Sequence, residues 1–335
     1  MEPFVFERAA DVESAVAVVA GDPSAAFIAG GTEMVNWLKE GIAAPRRLVD
    51  ITGLGLNAIE ITRDGLSIGA LMRMSDVAAH PEVRARFPGL AEALEAGASP
   101  QLRNMATIGG NLMQRTRCPY FRAEFTPACN KRIFASGCSA GAPGGINRTH
   151  SIFGWSEHCA ATHSSDLAVM LAALDAYVRI RGTEGERSMP LVDFYRLPGN
   201  DPMLETELQH GELIVGVDVP LTPVGARLHY LKVRERASYE FALVSAAGAV
   251  TLIDAGRRLG EVRLALGAVA PKPWRMRSVE WALRGARVDE IDKIGEAVER
   301  GFAEARPLAQ NGFKVELAIR AAVRVLMLSA KGPWT

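Results

Sequence analysis

The sequence predicts an α+β protein, and three features of its 335 residues support this class. First, "FVF" (4–6) and "AAFIA" (25–29) are typical of strands and flank a helical segment, which makes a β-α-β unit. Second, "AIEITRDGLSIGA" (58–70) alternates on both sides of Asp64-Gly65, as antiparallel hairpins do. Third, strands in the segment 227–270 precede a helical C-terminus. This mixture favours an α+β fold over a uniform doubly wound sheet.

The remaining elements follow from capping residues and periodicity. The first helix begins after Asp11, an N-cap residue, and ends at Gly21. Further strands are predicted at 47–51 and 177–182, and further helices at 34–41, over 75–98 as two helices around Pro88, from Asp166 through "SDLAVMLAALDA", and within 278–330. These segments divide the chain into three units, 1–54, 55–222 and 223–335.

Composition narrows the class of protein. Lys plus Arg equals Asp plus Glu, at 38 each, so no net charge favours nucleic acid or an anionic membrane. The longest apolar run, 241–253, is too short to span a bilayer. The N-terminal residues lack the basic and apolar regions of a signal peptide. We therefore expect a soluble chain with no export signal of its own, either cytoplasmic or exported to the periplasm together with a signal-bearing partner.

Two glycine loops are candidate sites for a phosphorylated cofactor. In "FIAGGTEMV" (27–35), Gly30-Gly31-Thr32 connects an apolar strand to a helix start, where backbone N–H groups can bind phosphate. In "SPQLRNMATIGGNLMQ" (99–114), hydrogen-bonding side chains surround Gly109-Gly110. Neither loop has the G-x-G-x-x-G pattern of a Rossmann dinucleotide site. A tight structural turn is the alternative for each loop.

All four cysteines lie in a segment without clear periodicity, residues 115–163. Cys118, Cys129, Cys138 and Cys159 have the spacing C-x10-C-x8-C-x20-C. This lacks the C-x2–4-C pairs of zinc knuckles, and four thiols are too few for a disulfide scaffold in a chain of this length. Converging thiolates can also bind a [4Fe–4S] cluster. Spacing alone leaves the cluster, a zinc ion, and free or disulfide-bonded thiols open.

The motifs "AGGTE", "QLRNMATIGGN", "SSDLAVMLAALDA" and "YLKVRERASYEFALVSAA" resemble, in this order, the FAD-binding subunits of molybdenum hydroxylases. That family includes xanthine dehydrogenases, carbon monoxide dehydrogenase and bacterial aldehyde oxidoreductases. The resemblance covers residues 4 to about 330. It implies a vanillyl-alcohol-oxidase (PCMH) type FAD-binding domain in two subdomains, 1–54 and 55–222, followed by a C-terminal domain of three strands and helices, 223–335. The C-terminal domain would be of the CO dehydrogenase flavoprotein type.

The resemblance also implies which residues contact FAD. The pyrophosphate would be wrapped by the first glycine loop: Ile28, Ala29, Gly30, Gly31, Thr32, Glu33 and Met34. The second loop would add Gln101, Thr107, Gly110 and Asn111, and Asp166 would accept a hydrogen bond from a ribityl or ribose hydroxyl. Leu213 and Ile214 would pack on the adenine or flavin edge, and Lys232 and Tyr239 would lie near the isoalloxazine. Without the resemblance, Asp166 is equally well explained as a helix N-cap.

The cysteine segment resembles an insertion found in some of these flavin subunits. Between "GGN" and "SDL" most members have a much shorter connection. Those of aldehyde oxidoreductases and of 4-hydroxybenzoyl-CoA reductase carry a loop that binds a [4Fe–4S] cluster, and "QRTRCPYFR", "CNKR" and "HCAATHSSDLAV" are closer to the former. The resemblance thus implies that Cys118, Cys129, Cys138 and Cys159 bind [4Fe–4S]. Arg115, Arg117, Arg122, Lys131 and Arg132 would offset the cluster's negative charge, while His158 and His163 would not be ligands.

The function implied is electron transfer within a multi-subunit molybdenum-dependent aldehyde oxidoreductase. A large subunit with the molybdenum cofactor and a small subunit with two [2Fe–2S] clusters would be the partners, and an external acceptor would take the electrons from FAD. Alternatives are a flavin subunit of a 4-hydroxybenzoyl-CoA reductase, an N-heterocycle dehydrogenase or a xanthine dehydrogenase, an independent flavin oxidase, and a non-catalytic scaffold with a zinc-stabilised loop. Because both glycine loops lie outside the insertion, we expect FAD to stay largely bound when the cluster is lost.

Overall fold

The computed structural model describes residues 1–125, 127–221 and 227–331, which form three sheets and the helices around them. The strands are β1 (Val5–Arg8), β2 (Ala25–Ile28), β3 (Arg47–Asp50), β4 (Ile59–Ile61), β5 (Gly65–Gly69), β6 (Tyr177–Gly182), β7 (Gly185–Pro190), β8 (Leu213–Pro220), β9 (Leu228–Val233), β10 (Val244–Ile253), β11 (Arg258–Gly267) and β12 (Trp274–Arg275). The helices are α1 (Val12–Gly21), α2 (Met34–Lys39), α3 (Met74–Ala79), α4 (Pro81–Arg86), α5 (Pro88–Ala96), α6 (Pro100–Arg103), α7 (Ile108–Leu112), α8 (Pro119–Arg122), α9 (Asp166–Ala173), α10 (Leu191–Phe194), α11 (Arg277–Ala282), α12 (Ile291–Arg300) and α13 (Phe313–Lys331).

The N-terminal sheet is parallel, in the order β1-β3-β2. Helix α1 starts at Asp11, as predicted, because the Asp11 carboxylate accepts a 2.7 Å hydrogen bond from the Ser14 amide in a reciprocal capping box. Its buried face, which includes Val16 and Val19, packs in the core of this sheet. The β-α-β unit is therefore confirmed, and it directs the loop after β2 toward the rest of the chain.

The middle sheet is antiparallel, in the order β4-β5-β8-β6-β7. The predicted β4–β5 hairpin is confirmed, but β7 and β8 are not among the predicted elements. Strand β8 is a nearly continuous apolar run without alternation, because it is buried at the centre of the sheet. Helix α9 is buried at all eight residues; it contacts β10 and β11 of the C-terminal sheet and shares one hydrophobic core with the middle sheet.

Helical segments around this sheet are more divided than predicted. The segment 75–98 contains three helices, because Pro81 and Pro88 each begin a new one at a position where proline is tolerated. Residues 99–114, predicted as an irregular connection, contain the short helices α6 and α7. Each is too short to show a helical period in sequence.

The C-terminal sheet has the order β12-β11-β10-β9, and α13 packs across β10. The prediction of three strands was one short: β12 has only two residues and follows Pro271 and Pro273, so no strand pattern marks it. The predicted boundary between 222 and 223 lies outside the described residues. Across the described ranges, no helix has both the length and the apolar character needed to cross a membrane.

The cysteine insertion, residues 115–163, contains a single short helix, α8, among its described residues. Lys314, at the start of α13, anchors it. The Lys314 ammonium is fully buried and donates to the carbonyls of Thr149 and His150, both at 3.0 Å, and to Ala268 at 2.5 Å. Burial lowers the pKa of Lys314 to about 7, whereas three carbonyl acceptors favour the ammonium form. Lys314, together with Asn311, which donates to the carbonyls of His150 and Ser151, thus fastens the insertion to the C-terminal unit.

We predict that Lys314→Met lowers the free energy of unfolding by about 2 kcal/mol. The part-buried carbonyls of Thr149 and Ala268 lose this donor, and the His150 carbonyl keeps only the Asn311 amide. Denaturant unfolding monitored by circular dichroism measures this change. Lys293→Met is the matched control, since Lys293 forms an exposed ion pair with Glu290 on α12, and such pairs contribute little. A loss at Lys314 no larger than at Lys293 would contradict the anchoring role.

Candidate functional site

Two adjoining cavities lie where the N-terminal sheet meets the rest of the chain, and Gly110 lines both. The apolar cavity, about 340 Å³, is lined by residues that include Ala29, Met34, Trp37, Thr107, Leu213 and Ile214. The polar cavity, about 360 Å³, is lined by residues that include Thr32, Glu33, Asn111, Asp166, Lys232 and Tyr239. The two cavities, together called the cleft, thus lie side by side, one apolar and one charged.

The two glycine loops meet directly beside this cleft. A Cβ atom added at Gly30 would lie 1.8 Å from the carbonyl oxygen of Met105, in the second loop. Gly30 is thus required for contact between the loops. Gly31 has φ +72°, the left-handed conformation that favours glycine, and it turns the chain from β2 into α2. The sequence predicted that glycines allow close approach of a ligand, and at Gly30 the group that approaches is the other loop.

The first glycine loop also leaves hydrogen-bond donors free. Among the described residues, the amides of Gly30, Gly31 and Thr32 donate to no protein acceptor. The buried Nε1 of Trp37, at the wall of the apolar cavity, also has no partner there. The three amides are half-buried and the Trp37 Nε1 atom is buried, so each can still donate a hydrogen bond to a bound group. This arrangement fits a cofactor with a pyrophosphate and further acceptors.

The second glycine loop is ordered by caps. The Thr107 hydroxyl caps α7 by accepting from the Gly110 amide at 3.2 Å. One turn later, the Asn111 Oδ1 atom accepts a 2.6 Å hydrogen bond from the Ser165 hydroxyl, which itself caps α9. The side chains of this loop therefore tie α7 to the start of α9, where Asp166 lies.

Asp166 is the first residue of α9, and the N-cap residue of this helix is Ser165. The alternative explanation of Asp166 as an N-cap was therefore wrong. One carboxylate oxygen accepts from the Tyr230 hydroxyl at 2.5 Å, and the other lies 2.8 Å from the Lys232 Nζ atom. Lys232 also donates to the Ala96 carbonyl at 3.0 Å. Burial and the neighbouring Asp166 carboxylate raise the pKa of Tyr230. This ion pair places a fixed, compensated charge at the wall of the polar cavity.

The structure places most predicted FAD residues around the cleft. Those lining it are Ala29, Thr32, Glu33, Met34, Thr107, Gly110, Asn111, Asp166, Leu213, Ile214, Lys232 and Tyr239. Ile28, Gly30 and Gly31 line neither cavity, and Gln101 lies on the exposed side of α6. Tyr239 is 56% exposed, with φ +52°, at the mouth of the polar cavity.

Several lining residues were missed by the sequence analysis. Trp37 was overlooked because it lies on the helix that follows the glycine loop, where a core position explains it equally well. Arg117 and Arg122 line the polar cavity but were assigned to the cysteine segment. Phe241 reaches the same cavity from the β9–β10 connection. None of these positions forms a local motif with the glycine loops, so only the fold brings them together.

The four cysteines converge on a third, small cavity. Cys118, Cys129, Cys138 and Cys159 all line it, and all four are free thiols. The cavity holds only about 10 Å³, roughly one water molecule. Among the described residues, no three His, Cys, Asp or Glu side chains are grouped closely enough to hold a metal ion. The fold therefore brings all four thiols to one small cavity.

The cysteine cavity is a desolvated environment. Burial raises the pKa of Cys118 to about 12 and that of Cys159 to about 11, and it also raises the pKa of Cys129. The Lys131 ammonium acts in the opposite direction on Cys129 and Cys159. The raised pKa values favour the neutral thiol forms of Cys118, Cys129 and Cys159, whereas a bound metal centre would require thiolates.

The basic residues of the insertion form ion pairs with neighbouring segments. Arg115 pairs with Glu205 at 2.5 Å, and Lys131 pairs with the same carboxylate at 3.4 Å. Burial alone would raise the pKa of Glu205, but Lys131 and Arg115 hold it below its usual value. Arg117 and Arg122 pair with Glu33. Four of the five basic residues expected to offset a cluster are therefore neutralised by carboxylates.

Histidines near the cysteines occupy different environments. His158 is exposed at the edge of the cysteine cavity. His150, which the sequence analysis did not single out, is buried, and its Nε2 atom lies 3.2 Å from the Cys118 Sγ. His163 packs against the Tyr195 ring with 4.4 Å between ring centres, and its Nδ1 accepts from the Ser165 amide at 3.3 Å. His163 thus supports the start of α9.

Comparison with known proteins identifies the family. The family model "FAD binding domain in molybdopterin dehydrogenase" matches residues 2–222, and "CO dehydrogenase flavoprotein C-terminal domain" matches residues 229–328. The chain belongs to the FAD-binding subunits of the molybdenum hydroxylase family. It is therefore a flavoprotein subunit of an oxidoreductase, and the predicted FAD-binding and C-terminal domain types are confirmed.

Relatives of this flavoprotein subunit include an aldehyde oxidoreductase FAD-binding subunit, PaoB, of Escherichia coli. The two chains are 46% identical over 97% of this chain and 98% of the relative. The glyceraldehyde dehydrogenase medium chain of Sulfolobus acidocaldarius is 27% identical over 91% of this chain and 89% of its own. Among solved structures, quinoline 2-oxidoreductase from Pseudomonas putida 86 matches with a TM-score of 0.75 at 24% identity, covering 99% of this chain and 98% of that one. The structural match establishes the fold.

We predict that Gly30→Ala lowers FAD affinity at least about tenfold, because the added methyl group would force the two glycine loops apart. FAD fluorescence titration of the refolded or flavin-stripped chain measures this. Gly295→Ala is the control: Gly295 lies in α12 with no atom within 4 Å of an added Cβ, so FAD affinity should not change. Equal affinity in the two variants would mean that contact between the loops is dispensable.

A second prediction concerns stability at acid pH. Burial lowers the pKa of His163 from 6.5 to about 4. Between these values the unfolded chain binds more protons than the folded one, so His163 makes stability fall as pH drops from 6.5 toward 4, by up to about 3 kcal/mol. His163→Asn, which keeps an acceptor near the Ser165 amide, should flatten this part of the stability–pH curve. His210→Asn, at an exposed site, controls for the loss of an imidazole. Identical slopes in wild type and His163→Asn would refute the assignment.

Proposed function

We propose that this chain is the FAD- and [4Fe–4S]-carrying electron-transfer subunit of a multi-subunit molybdenum-dependent aldehyde oxidoreductase. The observation that carries the proposal is that all four cysteines line one cavity in a chain of the FAD-binding subunit family. The 46% identity to an aldehyde oxidoreductase subunit supports the aldehyde class of substrate. Aldehyde oxidation would take place on a partner, since FAD in this chain serves electron transfer.

The cleft would hold FAD in an extended form. The adenine end would lie in the apolar cavity against Leu213 and Ile214, where the unpaired Trp37 donor is found. The free amides of Gly30, Gly31 and Thr32 would bind the pyrophosphate, as N–H groups at a loop-to-helix turn do. The isoalloxazine would lie in the polar cavity near Lys232 and Tyr239. When bound, FAD supplies one- and two-electron transfer between iron–sulfur clusters and an external acceptor.

Asp166 and Lys232 would orient the flavin end. Because each already satisfies the charge of the other, the pair presents fixed dipoles without leaving a buried net charge. Lys232, with its side chain only 4% exposed, would offer its ammonium to a flavin oxygen, while Asp166 would accept from a ribityl hydroxyl. The half-exposed Tyr239 at the cavity mouth lies where an external acceptor would approach.

We propose a cluster rather than a zinc ion for the cysteine cavity. Around one zinc ion four sulfur atoms share a single coordination sphere, with Zn–S distances of about 2.3 Å. In a cubane cluster each thiolate binds a different iron, so the sulfur atoms stand farther apart. The four thiols line a cavity of only about 10 Å³, so their side chains would have to move outward to admit the cluster. The absence of C-x2–4-C pairs leaves the scaffold alternative with structural zinc less well supported.

The proposed partners are a large subunit with the molybdenum cofactor and a small subunit with two [2Fe–2S] clusters, the latter delivering electrons to this FAD. Related chains named as medium chains or subunits support such an assembly. We propose the periplasm as the compartment, reached together with a signal-bearing partner; cytoplasmic location is the alternative. Without partner chains, this subunit should oxidise no aldehyde.

The iron-to-FAD ratio of the anaerobically purified chain tests the proposal. We expect about four irons per flavin. Cys129→Ser should lower the iron content strongly, because Cys129 lines the cavity and pairs with Cys138 through a backbone bridge.

Ser156→Ala, in the same insertion but outside the cysteine cavity, is the matched control and should keep its iron. FAD without iron, with zinc bound in its place, would support the scaffold with a zinc-stabilised loop and overturn the cluster assignment.

A further inference from the structure

The cysteine insertion contributes two guanidinium groups to the wall of the polar cavity. Arg117 forms a short ion pair with Glu33, and Arg122 lies 3.0 Å from the other Glu33 oxygen. Arg122 also pairs with Glu40 at 2.8 Å. All four side chains line the polar cavity. Glu33 is the residue that follows Gly30-Gly31-Thr32, so this network joins the insertion to the first glycine loop.

Arg117 is held from a second side as well. Its guanidinium lies over the Phe241 ring, 4.9 Å from the ring centre, on the β9–β10 connection. Its neighbour in sequence, Cys118, lines the cysteine cavity. One residue therefore contacts the glycine loop and the C-terminal unit while being bonded to a cysteine of the insertion.

The Glu33 carboxylate needs the guanidinium groups of Arg117 and Arg122 to balance its charge. Its side chain is only 15% exposed, and its carboxylate lies at the loop where the pyrophosphate would bind. Two anions in a partly desolvated site repel each other strongly unless cations lie between or beside them. Arg117 and Arg122 supply that compensation. Without them the loop would present an unpaired carboxylate to an anionic cofactor.

We propose that Arg117 is a positioning residue for FAD, and that through it the cysteine insertion completes the FAD site, so that FAD affinity depends on an intact cysteine cavity. This inference rests on the proposed placement of the FAD pyrophosphate at the first glycine loop. It replaces the expectation from sequence that FAD stays largely bound when the cysteine site is lost. The glycine loops lie outside the insertion in sequence, but their charge is balanced by residues inside it.

A charge-compensation cycle on the full chain tests the role of Arg117. FAD dissociation constants are measured by fluorescence titration for wild type, Arg117→Met, Glu33→Gln and the double variant. We expect Arg117→Met to weaken FAD binding about tenfold or more, and the double variant to recover most of that loss because no unpaired carboxylate remains. Arg117→Lys should be intermediate, since it keeps the charge and loses the fork geometry.

Arg148→Met is the matched control. Arg148 lies in the same insertion and pairs with Glu235 at 2.8 Å, with both side chains about half exposed, and it does not line the polar cavity. FAD affinity should be unchanged in this variant. A double variant that binds FAD no better than Arg117→Met would overturn charge compensation and leave Arg117 a purely structural residue.

A second cycle, Arg117→Met with Cys129→Ser, tests the dependence on the cysteine cavity. We expect Cys129→Ser alone to weaken FAD binding, and the double variant to bind no more weakly than Arg117→Met, because both act through one contact. The coupling would be overturned if Cys129→Ser left FAD affinity unchanged. It would also be overturned if the loss of affinity in the double variant equalled the product of the losses in the two single variants. The iron content of wild type, measured in parallel, separates this result from the cluster proposal. If the chain holds no iron but both cycles give the expected FAD affinities, the cluster is refuted. The dependence of FAD affinity on Arg117 and the cysteine cavity is then retained.

Discussion

The position of the cofactor cleft depends on the backbone contact between Gly30 and the Met105 carbonyl. No side chain larger than hydrogen fits between these atoms, so this close contact between the two glycine loops requires glycine at position 30. The contact fixes the free amides after β2 relative to α7. The hydrogen bond between Ser165 and Asn111 then fixes the start of α9 relative to α7. At this start, Asp166 pairs with Lys232 of β9. One close backbone approach thus positions groups from all three sheets around one cleft.

Charge around the cleft is balanced locally, pair by pair. Asp166 has Lys232, Glu33 has Arg117 and Arg122, and at the other face of the insertion Glu205 has Arg115 and Lys131. Ion pairs of this kind add little net stability, because desolvation offsets most of their attraction. Their effect is on geometry, because the two side chains of a pair separate if either of the segments that carry them moves. The cleft can therefore be charged and still fixed in shape, as a site for an extended anionic cofactor requires.

Sequence patterns predicted the parts of this molecule that are local. Asp11 and Gly21 delimit α1, and the Asp64-Gly65 pair identifies the β4–β5 hairpin, because a cap or a turn acts within a few residues. The glycine loops were found for the same reason. Strand β8 was missed since its burial on both sides removes alternation, and Trp37 and Arg117 were missed as cleft residues since their partners are distant in sequence. The double role of Gly30 as a loop contact could not be predicted without knowing where Met105 lies.

The cysteine insertion is held by the same kind of long-range contact. Lys314 fastens its residues 149–150 to α13, Glu205 holds Arg115 and Lys131, and Glu33 holds Arg117 and Arg122. These anchors come from all three units of the chain and surround the four thiols. The insertion forms turns with backbone hydrogen bonds of its own, and these anchors set its position relative to the rest of the chain. Because anchoring acts in both directions, a group that binds the thiols would also restrain Glu33 and, through it, the loop that the cofactor's phosphates would contact.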